Sequence, residues 1–69
     1  MFNGQALRAA REKQGLTQEQ LAVAAGSTAA TISRLEGGVR PPTLETVSKL
    51  ATALGLPMEA LFVETGTAA

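Results

Sequence analysis

Sixty-nine residues with six basic side chains, six acidic ones, no histidine and no cysteine leave out disulfides, thiolate chemistry and the usual zinc ligands. Zero net charge gives no overall pull on nucleic acid. The charge is unevenly spread: residues 1–49 hold all six bases and four acids, a net of +2, while residues 50–69 hold Glu59 and Glu64 and no base, a net of −2.

A chain this short is expected to form one domain over residues 1–69, with a core from about 4 to 63. No apolar run reaches the length of a membrane span, and the N-terminus lacks a basic-then-apolar leader, so a cytoplasmic protein without membrane contact is expected. Asn3 suits the N-cap of a first helix running to about Gln14, with Leu7, Ala10 and Ala6 as its apolar stripe and Gly15 as its end. Thr17 caps a second helix over Gln18 to Ala25. Gln20, three residues on, completes a capping box, and Leu16 with Leu21 forms a hydrophobic staple. Gly26 suits a left-handed residue after the helix.

Ser27 and Thr28 alone separate that glycine from the next apolar-periodic run, so Thr28 is the expected N-cap of a third helix, Ala29 to Glu36, with Ile32 and Leu35 facing the core. Two short helices joined by so tight a glycine turn make a helix-turn-helix over residues 17–36. Gly37-Gly38 stops the third helix. Val39-Arg40-Pro41-Pro42 reads as extended, because each proline pushes its predecessor out of the α region. Thr43 caps a fourth helix with Leu44, Val47, Leu50, Ala51 and Leu54 on one face, and Gly55 closes it. Pro57 fits the start of a fifth helix carrying Met58, Leu61 and Phe62. The tail 64–69 has no periodicity and is expected to fray. The fold class is all-α, five helices.

Four motifs in register over Leu7 to Phe62 then resemble a known family. They are Leu-Arg-Ala-Ala-Arg-Glu-Lys-Gln-Gly-Leu-Thr-Gln-Glu-Gln-Leu-Ala, Thr-Ile-Ser-Arg-Leu-Glu, Pro-Thr-Leu-Glu-Thr-Val and Ala-Leu-Gly-Leu. Together they are similar to the lambda-repressor-like, or xenobiotic-response-element (Cro/repressor type), helix-turn-helix domain. The resemblance implies a compact five-helix DNA-binding domain acting on double-stranded DNA, usually as a homodimer, with the helix 29–36 in the major groove.

Carried over by position, the base-facing residues are Ala29, Ala30 and Arg34, with Thr31 and Ser33 beside them. The phosphate contacts are Gln18, Thr28, Arg40, Thr43 and the main chain at Gly38, with a side role for Arg11. Arg11 and Glu36 match a family salt bridge between the first and third helices. Physical chemistry supports these roles: helix starts attract phosphate, and an arginine fork matches guanine O6 and N7. Ala29 and Ala30 stand where family members often carry Gln, Arg or Ser, and Ser27 where an apolar residue is usual.

Each of these residues also has a plain structural reading: Thr28 is a cap, Gln18 an early-helix residue, and Arg34 and Arg40 solvated charges. Met58, Leu61 and Phe62 fit a core, and equally a two-fold dimer contact with Val63 beside them. The leading expectation is a homodimeric transcriptional repressor. The alternative is a protein-interaction module on the same fold, such as an antitoxin-like or adaptor domain with a protein partner, which the two alanines and the zero net charge favour. No enzyme, cofactor or metal is expected, since nothing in the sequence pairs a nucleophile with a base.

Overall fold

A computed structural model describes residues 2–39 and 41–62 of the chain. Four α-helices follow in order: α1 (Gly4–Lys13), α2 (Gln18–Ala25), α3 (Ala29–Glu36) and α4 (Leu44–Leu54). A 3-10 turn, Met58–Leu61, closes the order in place of the expected fifth α-helix. The physical reason is local. Pro57 at its start offers no side-chain cap, and Phe62 turns extended at its end to form an antiparallel bridge with Phe2. Four residues between those constraints leave too little chain for an α-helix.

Every α-helix begins on the side chain expected from the sequence. Asn3 Oδ1 accepts from the Gln5 and Ala6 amides at 3.0 and 3.4 Å. The Thr17 hydroxyl accepts from Gln20 N at 3.0 Å while Gln20 Oε1 accepts from Thr17 N at 2.9 Å, the full capping box. Thr28 accepts from Thr31 N, and Thr43 from Thr46 N, both at 3.2 Å. The ends share one device as well. After α2, Gly26 N donates to Val23 O at 3.2 Å and Ser27 N to Ala22 O at 2.7 Å, a Schellman pair of bonds. Gly15, Gly38 and Gly55 stand at the same point of the other three ends. Gly26 has φ +68°, so a side chain here would be strained in the turn that sets α2 against α3.

The core collects Leu7 from α1, Leu21, Ala22 and Ala25 from α2, Ile32 and Leu35 from α3, Val47, Leu50, Ala51 and Leu54 from α4, and Leu61. Leu44 departs from its expected place on the buried face of the fourth helix and is 69 % exposed. It is the first residue of α4, and the core does not reach that turn. α2 packs on both α3 and α4, and α1 on α3 and the 3-10 turn. Asn3 N donates to Leu61 O at 2.8 Å, and the Phe2 and Phe62 rings meet edge to face at 6.5 Å, so the two ends of the described segment lie together.

Two contacts fix α1 against the end of α3. The first is steric: a Cβ added to Gly4 would overlap the carbonyl oxygens of Leu35 and Glu36. The second is ionic. Arg11 Nε donates to Glu36 Oε2 at 2.6 Å and Nη2 to Glu36 Oε1 at 3.2 Å, while Nη1 donates to Leu16 O at 2.7 Å. Gln18 Nε2 adds a bond to Glu36 Oε1 at 3.1 Å. The Arg11 and Glu36 side chains are 11 % and 5 % exposed. The hydrogen bonds from Arg11 to Glu36 raise the guanidinium pKa above its ordinary value; burial opposes this, and attraction to Glu36 and Glu12 adds to it. A raised folded value means that this stabilisation is complete below the ordinary arginine pKa and is lost only as pH climbs through the raised one. Arg11 therefore contributes no pH dependence at neutral or mildly alkaline pH.

Glu36→Ala leaves a mostly buried guanidinium without its carboxylate and is expected to cost about 3 kcal/mol. Circular dichroism on heating should then show a fall in Tm of at least about 10 °C. Gly4→Ala, which adds a single methyl, should destabilise by roughly 1–3 kcal/mol through overpacking. A denaturation midpoint equal to that of the parent would contradict the close approach of α1 to α3.

Candidate nucleic-acid interface

The face of α3 opposite Ile32 and Leu35 carries Ala30, Ser33 and Arg34, all exposed, at i, i+3 and i+4. Three residues from one helix thus share one outward stripe. Arg34 has no carboxylate within 4.0 Å among the described residues, whereas Arg8 pairs with Glu12 at 3.0 Å, Arg11 with Glu36, and Lys49 with Glu45 at 3.9 Å. The guanidinium of Arg34 is thus open to an incoming acceptor. Beyond it a groove runs between the end of α3, the following loop and the start of α4, lined by Arg34, Val39, Pro41, Pro42 and Thr43 among others.

The other expected base-facing residues are placed differently. Ala29 is half-buried at the first position of α3. Thr31 is half-buried, and its hydroxyl oxygen accepts from Thr28 Oγ1 at 2.9 Å, so the cap residue holds it. Thr28 itself is exposed, with its oxygen on Thr31 N and its proton on Thr31 Oγ1.

The residues expected on phosphate divide into two groups. Thr28, Gly38 and Thr43 are exposed close to either end of α3 and at the start of α4. Gln18 and Arg11 are turned inward: Gln18 is half-buried with its amide donating to Glu36, and all three nitrogens of the Arg11 guanidinium donate within the protein. The hydrogen bond from Gln18 to Glu36 was not foreseen. It joins residues 18 apart in sequence, and no local pattern signals it. Arg40 and Val63 lie outside the described residues.

Met58 and Phe62, in and after the 3-10 turn, are half-buried. Leu61, expected with them at a two-fold contact, is 0 % exposed. It faces inward because Met58–Leu61 is a turn whose last side chain completes the core against α1 and α4. Leu61 therefore supports that surface from behind. Among the described residues no helix is long and apolar enough to cross a membrane, and no group of His, Cys, Asp or Glu could hold a metal ion.

Comparisons with known proteins agree with this geometry. Over 64 residues the chain is 48 % identical to the HTH-type transcriptional repressor RghR of Bacillus subtilis, covering 91 % of this chain and 47 % of the relative. The chain spans about half the length of the curated relatives it matches. Among solved structures, the restriction-modification controller protein C.AhdI from Aeromonas hydrophila is 41 % identical, with a TM-score of 0.83 over 86 % of this chain and 89 % of its own. The P22 c2 repressor protein, solved in complex with a synthetic operator, is 27 % identical, with a TM-score of 0.83 over 90 % of this chain and 94 % of its own. The helix-turn-helix family model matches residues 7–61. With four capped helices, a glycine turn between α2 and α3 and a match over most of its length, the chain belongs to the helix-turn-helix family of the lambda-repressor-like, Cro/C1 type.

Proposed function

We propose that this chain is the DNA-binding unit of a cytoplasmic transcriptional repressor that grips operator DNA as a homodimer, with α3 of each protomer in the major groove. The observation that carries the reading is the outward stripe Ala30, Ser33 and Arg34, with an arginine that no described carboxylate neutralises. Arg34 donates its fork to guanine O6 and N7. Thr28 and Thr43, exposed as the caps of α3 and α4, meet phosphates on either side, and the Gly38 main chain with Arg40 extends the second of these contacts. Ser33 adds a hydroxyl to the groove. Gln18 reaches phosphate through its amide N–H at the start of α2, while its side chain stays on Glu36. Arg11 acts through the same network rather than on DNA. The name and repressor role of RghR support this reading, as does the operator bound by the c2 repressor.

Met58 and Phe62, with Val63 beside them, supply the contact between protomers, and the buried Leu61 holds that surface in shape. A second reading, a protein-interaction module, takes its support from Val39 and Leu44, which are 73 % and 69 % exposed in the loop after α3 and at the first residue of α4. The two readings differ in their response to salt, because phosphate contacts release counterions.

Selection from random duplexes at two salt concentrations tests the proposal. A two-fold symmetric site should emerge, with affinity falling steeply as salt rises. Arg34→Ala should lower affinity for that site by about 1–3 kcal/mol and relax one base position in each half. Absence of any enriched sequence would move the function to a protein partner. Sedimentation of Met58→Glu, at a concentration where the parent is dimeric, should yield folded monomer. A persistent dimer would relocate the interface.

A further inference from the structure

We infer that Ala30 is a specificity-determining residue that reads the 5-methyl group of a pyrimidine, so the preferred half-site carries a thymine roughly two base pairs from the guanine read by Arg34. The inference rests on the proposed placement of α3 in the major groove. Its own evidence is the chemistry of the outward stripe. Of the side chains of α3 expected to face bases, Ala29 is half-buried and Thr31 is engaged by Thr28. What remains exposed is Ala30, Ser33 and Arg34, and Ala30 alone on that stripe presents carbon without a donor or acceptor.

A methyl group pressed against a base edge strips water from whatever lies opposite. Opposite the N7, O6, N6 or N4 groups of guanine, adenine or cytosine, that leaves a polar atom unsatisfied, which is costly. The thymine 5-methyl is the one methyl group on the major-groove edges of the four bases, and carbon against carbon leaves nothing unsatisfied. Ala30 thus favours thymine by attraction to its methyl and by rejection of the alternatives. The spacing follows from helix geometry. Four residues advance the axis about 6 Å, and successive base pairs along a strand lie about 3.4 Å apart, which places the two read-out positions roughly two base pairs from each other.

The test uses the duplex that selection returns. Each thymine is replaced singly by deoxyuridine, which keeps every hydrogen-bonding atom and removes one methyl. The expected result is one sensitive position per half-site, on the order of two base pairs from the Arg34 guanine, with binding weakened about four-fold, or about 0.8 kcal/mol, the size of one buried methyl-sized group. In Ala30→Gly the thymine and uracil duplexes should bind alike. Ala30→Ser, which keeps the helix in case the glycine variant is poorly folded, should also lose the difference. Cytosine at the sensitive position should bind more weakly than 5-methylcytosine.

Wild-type protein that binds uracil and thymine duplexes equally at an otherwise selected site would overturn the inference while leaving DNA binding intact. A thymine preference that persists in both variants would overturn it too, by assigning the methyl contact to another group. Failure to select any site would remove the DNA-binding reading itself, and this inference with it.

Discussion

The mostly buried pair between Arg11 and Glu36 is the constraint on which the rest of the arrangement depends. It stands where four pieces of chain meet: the last turn of α1, the connection at Leu16, the first residue of α2 and the last residue of α3. A helix of eight residues has little stability of its own in water, so α3 keeps its direction only if both of its ends are held. Thr28 and the glycine turn hold the first end, and Glu36 holds the second. The orientation of the outward stripe is thus set by bonds on the opposite side of the helix. Gly4 belongs to the same constraint, because only a residue without a Cβ lets α1 come close enough for Arg11 to reach.

Overall neutrality turns out to be a poor guide to what this surface can attract. Arg8, Arg11 and Lys49 have carboxylate partners, so half of the basic charge is answered locally. Arg34 stands apart from every described carboxylate. A protein can therefore have zero formal charge and still present an exposed cation without a neighbouring carboxylate. Local pairing decides the matter, and composition does not record it.

Much of the fold was legible in the sequence because helix ends are written in nearest-neighbour chemistry. Asn3, Thr17, Thr28 and Thr43 each cap the helix expected of them, and the glycines that end those helices lie where the pattern placed them. The outward placement of Ala30, Ser33 and Arg34 was legible too, because the helical period that buries Ile32 and Leu35 turns them away from the core. What escaped was set by contacts distant in sequence. The residues 58–61 read as a helix by spacing, but the pairing of Phe62 with Phe2 limits them to one tight turn. Leu61 passed for a surface candidate because spacing alone does not say which side of a short segment meets the core. Gln18 looked like a free helix-start residue, while a carboxylate 18 residues away engages its side chain.

The joining of residues 2–3 to residues 61–62 has a mechanical consequence. Phe2 and Phe62 form an antiparallel bridge, with Asn3 N on Leu61 O beside it, so tension applied between Phe2 and Phe62 would open that pair before it loaded any helix. The next element under strain would be Asn3, whose side chain caps α1. Peeling of α1 would then draw Gly4 away from α3 and pull directly on Arg11. The grip on Glu36 would be the last link released before α3 lost its alignment. Under load the domain resembles a zipper whose final tooth is an ion pair, and α3, guarded in this way, would keep its direction until that tooth gave way.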